Sequence, residues 1–345
     1  MASLTAGGAA LRIQPFARAD PARANSMFKS ACFFRIADDF VLPDLPALER
    51  VLQKGRFVPC GPTQPESAGW VPPRGNKGKL LAELVGGHLV LKLCTEKRAV
   101  PSSAITSAVD ERIERYKAET GNERVPAKLK KEFKEEVLLD LLPRAFSKRS
   151  TMLLWLDAKN RMLVVDAGSL SGADRIVSTL LAALLEVPGA APSLDLSLIQ
   201  TQSSPSASMA HWLSTREAPW RFTVDRDCEL KAADEQKATV RYARHTLDID
   251  EVAQHIAAGK VPTQLAMTWN DRVSLVLTEA GQVRKIKFLD VVLKEAGDTG
   301  KDDDGFDANV AILTGELSQL IPDLLEALGG EAQAGVVAEA EAMPA

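Results

Sequence analysis

Between Ser102 and Leu142 the chain carries two apolar stripes at helical spacing. Ile105, Val109, Ile113 and Tyr116 form the first, and Leu129, Phe133, Val137, Leu138 and Leu141 the second. Gly121-Asn122 and Pro126 separate them, so the pattern predicts an αα-hairpin. Its outer faces are heavily charged, with Arg124, Lys128, Lys130, Lys131 and Lys134 set against Glu132, Glu135 and Glu136. Much of that charge reads as a solvated face laced with i,i+4 pairs. Two helices alone bury too little apolar surface to be stable. The stripes therefore need cover, from the rest of the chain or from a second copy, and this demand limits the possible folds more than any other feature.

The segments around the hairpin alternate short strands with single helices. Strands are expected at Ala31–Ile36, Arg56–Val58, Leu80–Leu84 and His88–Cys94, the last two joined by Gly86-Gly87. A helix is expected over Leu42–Leu52, and Gly61–Gly75, dense in Pro and Gly, reads as a loop. Beyond the hairpin come strands Met152–Leu156 and Met162–Val165, a helix over Ser171–Leu185 and a Pro/Ser/Ala-rich linker at 188–208. Leu213–Trp220 reads as irregular. Strands then fall at Asp225–Ala232 and Thr239–Arg244, and a helix at Asp248–Ala258 capped by Asp248 or Asp250. A meander of Thr263–Trp269, Arg272–Leu277 and Val283–Phe288 precedes a last helix around Thr314–Leu328. The order of elements indicates an α+β fold with antiparallel sheets rather than a doubly wound one. It divides the chain into a disordered extension (1–26), a central α+β domain (27–100 with 150–200), the helical hairpin (101–149), a C-terminal α+β domain (209–331) and a disordered tail (332–345). Met27 reads as the functional start, because the preceding residues show no sustained period and no apolar core of a secretory signal.

Composition excludes several classes. Of 345 residues 46% are hydrophobic and 26% charged, which rules out a wholly disordered chain. No apolar run approaches the roughly 20 residues of a spanning helix, so no membrane partner is expected. Aromatics at 5% are too few for a chain-long stacking surface. Cys32, Cys60, Cys94 and Cys228 lie far apart without a CxxC pair, as expected of reduced, buried thiols in a cytosolic protein. The net charge of -4 hides an asymmetry: Glu295–Ala345 holds twelve carboxylates and one lysine, leaving Met1–Lys294 at +7. A basic body with an acidic C-terminal region is compatible with a nucleic-acid binder and with many enzymes.

Catalytic signatures are absent. There is no GxxxxGK[ST], no GxGxxG after a strand, no HExxH and no GxSxG. His88, His211, His245 and His255 have no metal-ligand spacing. Asp302–Gly305 lacks both the alternation of a calcium loop and its twelfth-position Glu. Asp157 and Asp166 near strand ends read as turn and capping residues. No cofactor and no catalytic activity are expected. One short block stands out: after Pro143 ends the second hairpin helix, Arg144, Lys148 and Arg149 surround Phe146 in what reads as a loop. Cations beside an aromatic ring can hold phosphates and rest the ring on a sugar or base. Phe146 can equally be an anchor that closes the hinge beneath the hairpin.

Longer stretches add a resemblance. FVPCG with GWVPPRG (Phe57–Gly61, Gly69–Gly75), LLPRAFSKRS (Leu141–Ser150), HIAAGKVPTQLAMTW (His255–Trp269) and LTGELSQLIPDLLEALGGE (Leu313–Glu331) resemble the recombination-associated protein RdgC family. The resemblance runs from Met27 to about Glu331. It implies a horseshoe-shaped subunit closing with its twin into a ring-shaped homodimer around duplex DNA, with single strands as a second candidate ligand. Binding would show little sequence preference and would restrain RecA-dependent recombination by competing for DNA in the cytoplasm, at the nucleoid. The hairpin resembles the tip that packs on its twin, and the C-terminal meander the base contact. Pro143–Phe146 falls at the family's DNA-contacting inner surface, and Arg241, Arg244 and His245 in its other basic block. Where the family has Lys followed by a polar amide, this chain has Arg244 and His245. Two other readings stand beside this one: a module acting directly on a recombinase, and a nucleic-acid enzyme.

Overall fold

Two unusually long strands organise the first half of the chain. In the computed structural model, which describes residues 28–188, 196–235, 237–295 and 305–332, β4 (His88–Ala99) and β5 (Phe146–Asp157) are each 12 residues long. They pair antiparallel without a break, from Leu89 opposite Leu156 to Ala99 opposite Phe146. At about 3.4 Å per residue the ribbon is roughly 40 Å long. The other strands of this part are β1 (Ser30–Ile36), β2 (Glu66–Trp70), β3 (Ala82–Val85), β6 (Met162–Val165) and β7 (Leu196–Leu198). Their order is β2-β4-β5-β6-β1, with β3 also on β4 and β7 on β1. Helix α1 (Leu45–Lys54) starts where Asp44 accepts a hydrogen bond from the Ala47 amide at 3.1 Å. Helices α1 and α4 (Leu170–Leu185) place Leu48, Leu52, Ile176 and Leu180 in one core with Leu89, Leu91, Leu93, Leu154 and Leu156. That core forms because alternate residues of the ribbon share one face.

The sheet departs from the sequence expectation at three points. Gly61–Gly75 is not all loop, since Glu66–Trp70 pairs with β4. Its ESAGW sequence has little strand propensity, so the register of β4 and not local preference fixes it. Arg56–Val58 reduces to one bridge, Arg56 to Trp70. Phe146–Ser150, read as a loop, is the far end of β5. Helices α2 (Ser102–Thr120) and α3 (Ala127–Leu141) join the far ends of the ribbon as the predicted hairpin. Gly121 closes α2 in the left-handed conformation, φ 67°. Tyr116 and Phe133 meet edge-on at 6.1 Å, and Arg112 pairs with Asp140 at 2.5 Å and with Glu136. The apolar stripes stay poorly covered: α2 buries no residue and α3 only Val137. The Pro143 region is a 3-10 turn, Leu142–Arg144.

The chain divides into two compact units, Ala31–Ile199 and a second that joins Met1–Ser30 to Gln200–Ala345. The second contains β8 (Phe222–Ala232), β9 (Thr239–Tyr242), β10 (Lys260–Trp269), β11 (Val273–Thr278) and β12 (Val283–Phe288), in antiparallel order β9-β8-β10-β11-β12. The predicted meander is β10 to β12. Asn270 and Asp271 turn β10 into β11 with φ 47° and 53°, values that favour Asn and Asp over branched residues. Four helices accompany this sheet: α5 (Pro205–Thr215), α6 (Asp250–Ala257), α7 (Asp290–Glu295) and α8 (Phe306–Ala327).

Helix α5 occupies part of the expected linker and irregular segment, with Ser204 capping it and Met209, Trp212 and Leu213 buried. Helix α8 starts at Phe306, earlier than expected, and runs through Pro322. Neither Asp248 nor Asp250 caps helix α6: the cap position is Ile249, whose side chain has no acceptor, and the two carboxylates pair with Arg216 at 3.0 and 2.5 Å. All four cysteines are buried and free, and burial pushes the Cys228 thiol up to about 12. Residues 1–26 and Asp302–Asp304, expected to be a disordered extension and not a calcium loop, lie outside the described residues, as does the tail beyond Ala332.

Gly69 in β2 offers a test of this packing. A Cβ there would lie 2.5 Å from the Phe57 Cα and 2.6 Å from its amide nitrogen. Backbone cannot swing aside as a side chain can. Gly69→Ala should therefore cost about 3 kcal/mol, the upper end for overpacking, read as a lower midpoint in urea denaturation at unchanged slope.

Candidate nucleic-acid interface

Strand alternation sorts the first basic block. Phe146, Lys148 and Ser150 lie on the face that continues into Met152, Leu154 and Leu156. Ser147, Arg149 and Thr151 lie on the other. Helices α1 and α4 cover the near half of the first face, while Phe146 is 90% exposed. Lys148 stands directly across from Lys97, and like charges in that position repel. Glu66 offsets this, pairing with Lys97 at 3.3 Å and also with Arg175. Arg144 is exposed at the end of the 3-10 turn. Among the described residues no carboxylate pairs with Arg144 or Lys148.

Arg149 differs. Its guanidinium is hydrogen-bonded to Glu96, whose side chain is 4% exposed, and lies 5.3 Å from the centre of the Phe57 ring. The bond to Arg149 holds the Glu96 carboxyl below the usual carboxylate range. The sequence groups Arg149 with Phe146, but the structure separates them across the ribbon and spends most of the Arg149 charge on Glu96. Arg98, absent from the sequence-based set, ties the hairpin to the ribbon. Its guanidinium donates to the Leu142 carbonyl at 3.0 Å and the Cys60 carbonyl at 3.3 Å. The run TEKRA hides this role, because its charges break the alternating pattern that marks a strand.

The second basic block lies in the other compact unit. Arg241 is exposed on β9 opposite Glu229. Arg244 follows the strand at φ 54°, and its amide donates to Asp227 Oδ1 at 2.7 Å. The His245 amide donates to the Arg226 carbonyl at 3.1 Å. These bonds fasten the turn to β8 and leave both side chains exposed. His245 Nδ1 lies 2.7 Å from the Thr246 carbonyl, which only accepts, so Nδ1 carries the hydrogen. Nε2 is then an acceptor when the ring is neutral and can donate to a phosphate only from the imidazolium. Arg241 shares a recess with Asp227, Glu229, Gln264 and Lys285. No carboxylate forms an ion pair with Arg241 or Arg244 among the described residues, where no group of three His, Cys, Asp or Glu could hold a metal ion.

Similarity to known proteins places the chain in a family. A family profile described as "Putative exonuclease, RdgC" matches residues 27–331. The recombination-associated protein RdgC of Dechloromonas aromatica (strain RCB) is 43% identical over 308 residues, 88% of this chain and 98% of that protein. This chain belongs to the RdgC family. The RdgC protein of Herminiimonas arsenicoxydans is 40% identical over 305 residues, with the same shares covered. That of Bordetella pertussis is 36% identical over 306, again 88% and 98%.

The Glu96–Arg149 pair sets a pH dependence. A carboxyl held low in the folded chain adds stability that is complete above its unfolded value, about 4.3. That stability is lost as pH falls through the lower folded value. Glu96→Gln should therefore lower the melting temperature at pH 7. The gap from the unmodified protein should narrow as thermal melts are repeated from pH 5 down to pH 3.

Proposed function

We propose that this RdgC-family protein is a non-catalytic DNA-binding protein. In this reading it encircles duplex DNA as a ring-shaped homodimer of horseshoe-shaped subunits and restrains RecA-dependent recombination by occupying the DNA. The observation that carries the reading is a set of exposed, unpaired cations, Arg144 and Lys148 around the bare ring of Phe146, and Arg241 and Arg244 in the second unit. Unpaired surface cations attract phosphates without reading base edges, so binding of this kind is largely independent of sequence. The name of the relatives, recombination-associated, agrees with such a role. A nucleoid location in the cytoplasm follows from the same proposal, and no helix among the described residues is long and apolar enough to cross a membrane.

The half-covered α2–α3 hairpin supports the homodimer. Phe133→Asp places a charge in the stripe that a second copy would cover. The unmodified protein should run at twice the chain mass in light scattering at micromolar concentration, and the variant should dissociate or lose one of its contacts. A monomeric unmodified protein defeats the ring.

For DNA, the slope of log K against log[salt] should be about -4 to -7 if 4–8 phosphates are held. Arg144→Ala or Arg244→Ala should each make it shallower by about one unit, alike on all sequences. Phe146→Ala should leave the melting midpoint within a few degrees, since the ring is already exposed. It should weaken binding by about 1–3 kcal/mol if the ring stacks. A nuclease reading is favoured by the wording of the family description. Incubating duplex and single strands with the protein and Mg²⁺ or Mn²⁺ decides it: strand shortening removes the non-catalytic claim. A direct action on a recombinase is decided by pull-down of RecA in the absence of DNA.

A further inference from the structure

Strand β12 carries three cations in six residues, Val283-Arg284-Lys285-Ile286-Lys287-Phe288. Simple alternation would place Arg284 and Ile286 on one face and Lys285 and Lys287 on the other. The structure breaks the alternation. Val276 of β11 pairs with Arg284 and Ser274 with Lys287, so Lys285 and Ile286 both stand against Leu275. This is a β-bulge. Its effect is that Val283, Ile286 and Phe288 are all buried, while Lys285 and Lys287 are exposed and Arg284 is half-buried. One inserted residue thus turns three cations away from the core together.

The residue that makes the bulge is unusual. Lys285 has φ 52°, in the left-handed region where glycine or asparagine is the cheaper choice. A lysine held there keeps a long cationic side chain at a backbone position that does not favour it. The three cations and Lys29 line an open groove of about 510 Å³ with Ser30 and Ile286, and no carboxylate lines it. No acidic side chain pairs with Lys285 or Lys287 among the described residues. Arg284 donates one terminal N–H to Gln282 Oε1 at 3.1 Å, and its buried Nε has no partner. Lys285 also lines the recess that contains Arg241. The strip therefore borders Arg241 of the second basic block, with Asp227 and Glu229 in the same recess.

We propose that β12 is a further phosphate-contacting ridge, with Lys285 and Lys287 held outward by the bulge and Arg284 behind them. The ligand is the sugar-phosphate backbone of a nucleic acid. This inference rests on the DNA-binding reading above and assigns that surface residues which the two sequence-identified blocks do not contain. Cations two residues apart on a strand stand about 6–7 Å apart, so the pair can hold two separate phosphates at once.

The test is a salt titration of the full chain against a fluorescent 30-base-pair duplex of mixed sequence. Lys285→Asn with Lys287→Gln removes both charges, and Asn tolerates the left-handed backbone. Circular dichroism melts verify that the variant is folded, and Lys285→Arg serves as the charge-conserving control. The double variant should bind roughly tenfold more weakly at 0.1 M salt, with a slope shallower by about two units, while Lys285→Arg keeps the parent slope. A folded double variant with parent affinity and slope overturns the ridge, and does so independently of the general reading if Arg144→Ala still weakens binding. A parent protein that binds no duplex overturns both. If the double variant binds DNA normally but loses affinity for poly-glutamate, the strip serves an acidic protein partner and the proposal fails.

Discussion

The pairing of β4 with β5 is the constraint on which the first unit depends. Half of the ribbon is clamped in the core, where Leu89, Leu91, Leu93, Leu154 and Leu156 meet α1 and α4. The other half carries no such cover, yet its register is set by the first half: a one-residue slip would carry every core leucine to the wrong face. Burial at one end thereby fixes the orientation of Phe146, Lys148 and Arg149 at the other, where nothing local specifies it. The helical hairpin is held by the same device. Its two ends enter from adjacent, paired strands, and Arg98 ties the Leu142 carbonyl to the loop at Cys60.

Electrostatics then separates structural from available charge. Arg149 is committed to buried Glu96 and Arg272 to Glu316, which is 10% exposed in its side chain. Arg221 is committed to Asp323, which also accepts from the Trp269 indole at 2.7 Å. Removing one partner from such a pair leaves a buried carboxylate unsatisfied, so these cations carry a structural duty that the unpaired ones do not. Arg144, Lys148, Arg241, Arg244, Lys285 and Lys287 form no ion pair among the described residues. Sequence shows forty-two Lys and Arg alike; the pairing pattern separates those committed to a carboxylate from the rest.

Much of the fold was legible because it rests on local periodicity. The αα-hairpin, the helix at 170–185 and the β10–β12 meander have clean 3.6- or 2-residue patterns and clear turn residues. What was missed depends on partners distant in sequence. ESAGW becomes β2 only because β4 offers it an edge, and Pro205–Thr215 becomes helical behind a cap at Ser204 in a stretch whose Ser and Pro suggest a linker. The acidic C-terminal region shows in sequence only as net charge, yet Glu316 and Asp323 hold α8 against the turn between β10 and β11. At the candidate site the pattern of cations around Phe146 pointed to Arg144, Lys148 and Arg149, and the family resemblance supplied Arg241, Arg244 and His245. The face on which each residue lies needed the register, and β12 needed the bulge, which no alternating pattern announces.

The chemistry of the available cations bears on how such a surface would hold DNA. Each exposed cation contributes modestly, because water and salt screen it. In the DNA-binding reading affinity would come from number, doubled by symmetry in a dimer. Arg144 and Lys148 frame an aromatic ring whose stacking on a base does not depend on base identity, and the lysines of β12 are point charges without the planar fork that reads guanine. Nothing in this set discriminates sequence. Enclosure would supply what weak, non-specific contacts lack: a ring that closes around the duplex converts loss of any single phosphate contact into sliding rather than escape. The half-covered apolar stripe of α2 and α3 would then be the element whose pairing with a second copy decides whether the cations act singly or together.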